Sequence, residues 1–117
     1  MAQLRPRKND PQDRRLLFDQ ELRALQIEHL GYQHTYFHPT EKTRMQYDAM
    51  VYTFSDMDVK RANNKTYNIR QGYSVIWISK DPETPLPFAI QEHFERCSPG
   101  KSYVAENLYH FPFTIFY

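Results

Sequence analysis

The sequence predicts an α+β fold: a two-layer sandwich in which a mostly antiparallel sheet of about five strands carries two packed helices and sends out a long projecting β-hairpin. Three observations predict it. A periodic apolar stretch opens at Asp10-Pro11 and closes at Gly31. Two alternating segments flank a polar stretch with Asn63-Asn64 inside it. The closing segment, Tyr103–Tyr117, reads as two strands joined by a short turn. At 117 residues the chain has the length of one domain and can bury one core without staples. It divides into a basic leader over residues 1–9 and a single domain over residues 10–117.

The elements follow in chain order. Asp10 can accept hydrogen bonds from the first free amides of a helix, Pro11 sits where its missing N–H costs nothing, and Asp13 favours the positive dipole end. The helix should run to about Leu30, with Gly31 as its left-handed cap and Phe18, Leu22 and Leu25 on one stripe. Tyr32–His38 is a short strand and Pro39–Gln46 a charged loop. Tyr47–Phe54 alternates with bulk on both sides, which predicts a strand covered on both faces. Asn63-Asn64 tolerates the positive φ of a tight turn, so residues 47–80 read as one long hairpin returning through Ile69–Lys80.

Asp81-Pro82 ends that strand. A second helix is predicted from Pro87 to Arg96, with Phe88, Ile90 and Phe94 on its buried face. Ser98-Pro99-Gly100 is expected to turn the chain into the terminal strands. Pro112 lacks a ladder donor, so the last strand is expected to be an edge or to carry a bulge there. A chain ending inside its own sheet is expected to keep no tail for targeting.

Forty per cent of the residues are hydrophobic, and nine Tyr outnumber the Leu residues. Tyr suits surfaces that are apolar yet need a hydrogen bond at the rim. A net charge of +1 lacks the strong footprint of a dedicated nucleic-acid binder. The one cysteine, Cys97, excludes an internal disulfide and suits a reducing compartment. The basic N-terminus has no apolar run behind it and so is no signal peptide, and no stretch has the length of a membrane span. The protein is expected to be made in a cytoplasm.

Several constellations bear on chemistry. His34 and His38 share a strand face, and His93 and Cys97 lie one turn apart. Neither pair has the third and fourth ligands that zinc takes, and no glycine-rich turn stands beside Cys97 to build an oxyanion hole. Three glycines, at 31, 72 and 100, cannot form a phosphate cradle. Asp58-Val59-Lys60, with Asp56 and Asp48 upstream, is the enzyme alternative: a small nuclease whose carboxylates hold Mg²⁺ while the lysine steadies the attacking water. Against it, Asp48 and Asp58 fall on one strand instead of converging from two. The hairpin offers more. Its acidic outgoing arm (Asp56, Asp58) is followed by Lys60, Arg61, Lys65 and Arg70, a separation of signs that can pair head to tail with the next copy. The expected subunit interface is Asp56, Asp58, Lys60, Arg61, Asn63, Asn64, Lys65 and Tyr67. Arg5, Arg7 and Lys8 of the leader, with Lys42 and Arg44 of the loop, are expected to face a partner.

Four segments in fixed order carry a resemblance: Arg44-Met-Gln-Tyr-Asp-Ala-Met-Val-Tyr52, Ala62-Asn-Asn-Lys-Thr-Tyr67, Tyr73-Ser-Val-Ile-Trp-Ile-Ser-Lys-Asp-Pro82 and Tyr103-Val-Ala-Glu-Asn-Leu-Tyr-His110. Over residues 32–117 the pattern resembles the tail terminators of long-tailed bacteriophages (siphophages), small neck and tail-completion proteins. The resemblance implies a virion structural protein of α/β fold, with its sheet flanked by helices, that forms a homo-oligomeric ring, as a rule a hexamer. The ring caps the tail tube, stops its polymerisation and offers a surface for head–tail joining. The implied partners are the tube protein and the neck connector or a head-completion protein, with DNA passing through the lumen without specific binding. No reaction, cofactor or metal is implied. A head-closure or adaptor ring of the neck is the alternative within this class.

Overall fold

The computed structural model describes the backbone of residues 11–62 and 65–117, and the side chains of 12–62 and 69–117. The chain is α+β: two helices and a mostly antiparallel, open six-stranded sheet.

Helix α1 (Pro11–Leu30) starts on a proline, places Asp13 in its first turn and closes where the Gly31 amide donates to Ile27 at 2.9 Å. Gly31 has φ +80°, the left-handed conformation its missing Cβ allows. Strand β1 (Thr35–Phe37) follows and pairs parallel with the start of β2 (Ala49–Ala62). Strand β3 (Lys65–Ser79) is the antiparallel neighbour of β2, in register from Ala49 opposite Ile78 to Ala62 opposite Lys65. Helix α2 (Leu86–His93) leads to β4 (Cys97–Pro99), β5 (Tyr103–Ala105) and β6 (Leu108–Phe116). The sheet order is β1-β2-β3-β6-β4, with β5 also on β6. The β5–β6 turn is Glu106-Asn107 at φ 52° and 64°, the two positive values that match a hairpin to the strand twist.

Alternation decides which side chains enter the core. Met50 and Tyr52 of β2, Tyr73, Val75 and Trp77 of β3, and Phe113 and Ile115 of β6 lie in one cluster with Phe18, Leu22 and Leu25 of α1 and Leu86, Ala89 and Ile90 of α2. Both helices therefore cover the same face. The opposite face is less enclosed than β2 was expected to be: Ala49 is buried, Val51 and Ile76 are half-buried and Ser74 is exposed. Two polar side chains in the core have partners. Trp77 Nε1 donates to Thr84 Oγ1 at 3.1 Å. Gln26 donates to Thr35 Oγ1 at 2.7 Å and to the Leu22 carbonyl at 3.2 Å, and accepts from the His34 amide at 3.0 Å.

Four expectations are corrected. The first strand is shorter than Tyr32–His38 and runs parallel to β2. Helix α2 starts at Leu86 and stops at His93, because Phe94 is extended (φ −93°, ψ 128°), which turns its ring into the core. From that start Leu86, Ala89 and Ile90 are the inward positions, and Phe88 is 77% exposed. The Ser98-Pro99-Gly100 turn is largely strand, since Cys97, Ser98 and Pro99 pair with Ile115, Thr114 and Phe113. The last strand is interior, with β3 on one side and β4 and β5 on the other. Pro112 is tolerated there for a geometric reason. In an antiparallel strand the N and O of one residue point the same way. The Pro112 oxygen accepts from Gly100 at 2.8 Å, so its nitrogen also points toward the gap between β4 and β5 and no bond to β3 is lost.

Between Phe54 and Met57 the register skips: Ser55 and Asp56 oppose Gly72 alone. This is a β-bulge, and it dictates the glycine. A Cβ at Gly72 would stand 2.1 Å from the Asp56 carbonyl oxygen and 2.9 Å from the Phe116 ring. Gly72→Ala is therefore expected to lower unfolding free energy by about 1–3 kcal/mol, read from the urea midpoint, while Gly31→Asn, at an open position that asks only for positive φ, costs less.

Candidate assembly surface

The region of the sequence-predicted interface begins where the core ends. Phe18 stacks on Tyr73 with centroids 4.2 Å apart and also meets Tyr52, Phe94 and Tyr117. Around these rings, α1 supplies the cations. Arg14 donates to the main-chain oxygens of Ile69 at 3.2 Å and Tyr117 at 2.9 Å. Arg15 donates to the Tyr52 hydroxyl at 3.1 Å and lies over Phe37. Tyr52 donates in turn to Asp19, which also pairs with Arg23. Arg14 and Arg15, which composition groups with the basic leader, thus turn inward. The Tyr117 amide donates to Gln71 at 3.1 Å, and Gln71 Nε2 donates to the Ser55 carbonyl at 2.9 Å, so β2 and β3 are tied to the domain just past the bulge.

The structure places the expected interface residues in different settings. Asp56 is exposed in the bulge. Asp58 forms an ion pair with Arg96 of the same chain, and the Arg96 guanidinium lies 5.5 Å from the centroid of the Phe116 ring. Lys60 and Arg61 are exposed on β2. Lys65 and Tyr67 belong to β3, Tyr67 falling at a second register shift, and their side chains lie outside the described residues. So do Asn63, Asn64, Arg5, Arg7 and Lys8. Lys42 and Arg44 are exposed on the loop between β1 and β2. Sequence reasoning missed Arg96 as the Asp58 partner, because charge pattern along a strand says nothing of a loop 38 residues away. It also missed the apolar rim: Phe54 is 41%, Met57 63% and Val59 38% exposed.

The chemical alternatives resolve into separate local bonds. Asp48 accepts from Ser79 Oγ at 2.6 Å and the Lys80 amide at 2.9 Å, far along β2 from Asp58. His34 Nδ1 contacts the Asp48 carbonyl, whereas His38 Nε2 accepts from the Phe54 amide. His93 pairs with Glu21 of α1 at 2.8 Å, not with Cys97. Burial pushes the Cys97 thiol up to about 11, which keeps it protonated near neutral pH. Among the described residues no group of three or more His, Cys, Asp or Glu side chains could hold a metal ion, and no helix is long and apolar enough to cross a membrane. Compared with protein-family models and with curated proteins, the chain matches none.

Two outcomes are expected here. A double-mutant cycle of Asp58→Asn and Arg96→Met should give a coupling of about 1 kcal/mol, modest because both side chains keep roughly a third of their surface. Stability should also fall in alkali. Burial raises Cys97 from 9.0 to about 11 and Tyr73 from 10.0 to about 12. The folded state therefore holds protons that the unfolded chain releases, so stability is full below pH 9 and is lost between 9 and about 11 for the thiol and between 10 and about 12 for the phenol. Urea midpoints measured against pH should show this, and Cys97→Ser should move the onset toward pH 10.

Proposed function

We propose that this protein is a structural subunit of a virion, the tail terminator of a siphophage-like particle, working as a homo-oligomeric ring that caps the tail tube and presents the surface for head–tail joining. The mechanism is steric and adhesive: one face of the ring closes the tube end and the other docks to the connector. The resemblance over residues 32–117 supports this reading, and so does the way the sheet ends. β1 pairs with β2 only at residues 50–52, and β6 pairs with β3 only from Gly72 to Ser79. Beyond those limits, among the described residues, β2 and β3 pair only with each other. We read this extension as the long projecting hairpin, an arm that reaches a neighbouring copy. It is the single observation that carries the proposal, because an arm with exposed Met57, Val59, Lys60 and Arg61 gains nothing from its own core.

Asp58 is held by Arg96, so among the described residues the exposed charges on the β2 strand of the arm are Asp56, Lys60 and Arg61. Native mass measured alone and with tube protein tests the proposal. A discrete closed oligomer, or a stoichiometric cap on tube protein, is expected. Lys60→Glu joined with Arg61→Glu should weaken assembly about tenfold. A protein that stays monomeric at every concentration, with and without tube protein, would overturn the proposal.

A further inference from the structure

We infer that copies of this chain join head to tail by seating the β2 rim of one copy, with Met57 as its anchor, in the groove between α2, β4 and β6 of the next. The inference rests on the ring reading and supplies its receiving surface. The groove, of about 280 Å³, is lined by Pro87, Phe88, Pro99, Phe111 and Pro112 with Gly100 in its wall. That is slightly below the roughly 300–1,000 Å³ of small-molecule pockets and suits a protruding side chain. A second recess shares Ser102 and Phe111 with it and adds Tyr103 and Val104, which are 47% and 62% exposed. The apolar surface is thus contiguous, and contiguity separates an interaction site from scattered exposed apolar residues.

The complement lies at the other edge of the same sheet. Met57 and Val59 stand out from β2, and among the described residues no strand pairs with its outer side beyond Tyr52. A convex apolar rim on one edge and a concave apolar groove at the other make a heterologous contact, which forms a ring when the rotation closes. Charge agrees. Residues 56–70 carry Lys60, Arg61, Lys65 and Arg70 against Asp56 and Asp58. Residues 81–106, the segment that holds α2 and β4, carry Asp81, Glu83, Glu92, Glu95 and Glu106 against Arg96 and Lys101. The segment that supplies the rim is therefore net basic and the segment that supplies α2 and β4 net acidic, opposite signs that favour encounter of the two over encounter of like with like.

The test uses two full-length variants, Met57→Asp and Phe88→Asp. Both native side chains are exposed, so circular dichroism and Tm should stay at wild-type values. Each variant alone should lose at least tenfold in assembly, because one breaks the rim and the other the groove. Mixed in equal amounts and briefly cross-linked, they should form a heterodimer and stop there: the intact rim of Phe88→Asp enters the intact groove of Met57→Asp, and the two surfaces left over are both broken. Variants that assemble like wild type, or a mixture that stays monomeric while wild type assembles, would overturn this contact and leave the ring reading standing. A two-fold dimer of wild type that neither substitution disturbs would also overturn it. A wild type that is monomeric alone and with tube protein removes the ring reading itself.

Discussion

Phe18 is the contact on which the rest of the molecule depends. One ring on α1 stacks on Tyr73 of β3, meets Tyr52 of β2 edge-on and touches Phe94 and Tyr117, so a helix, two strands and the last residue converge on it. Burying a phenylalanine contributes about 1.5–3 kcal/mol, and aromatic pairing adds about 0.5–1.5 kcal/mol per favourable pair. Its larger effect is geometric. With Phe18 seated, Arg14 reaches Ile69 and Tyr117 while Arg15 and Asp19 reach the Tyr52 hydroxyl, and α1 is fixed in rotation and height against the sheet.

That fixed base lets β2 and β3 continue past the core. Ser55 and Asp56 bulge over Gly72, Phe116 lies over the glycine, and Arg96 extends from Phe116 to Asp58. The extension is thus joined to the domain by a glycine at which any Cβ would clash, a ring and an ion pair. On that extension Met57, Val59, Lys60 and Arg61 are exposed.

Helix α1 was legible in the sequence because its signals are local: proline at the start, an aspartate in the first turn, a glycine at the end and one apolar stripe. Helix α2 was half legible. Its prolines marked the start, and Ile90 and Phe94 enter the core as expected, but Phe88 does not, because a helix starting at Leu86 turns Leu86, Ala89 and Ile90 inward. Pro112 misled for a related reason. Its missing donor matters only if the nitrogen faces β3, and which way it faces depends on the register of a distant strand. Buried Gln26 and the Asp58–Arg96 pair left no trace in sequence pattern, since their partners come from other elements. The charge separation behind the proposed interface could be seen in the sequence, although Asp58 turns out to be held by Arg96, whereas the apolar rim and groove emerged only when the sheet order set them at opposite edges.

The proposed assembly implies a division of labour: the helix-covered core is completed within one copy, and the two edges of the sheet would be completed between copies. Amide hydrogen exchange compared between diluted protomer and assembled protein measures that division segment by segment. The account predicts new protection in residues 54–62 and 86–105, with β6 and the interior of β3 equally slow in both states. Unchanged exchange in those two segments on assembly, or protection gained instead on the outer face of α1, would contradict it.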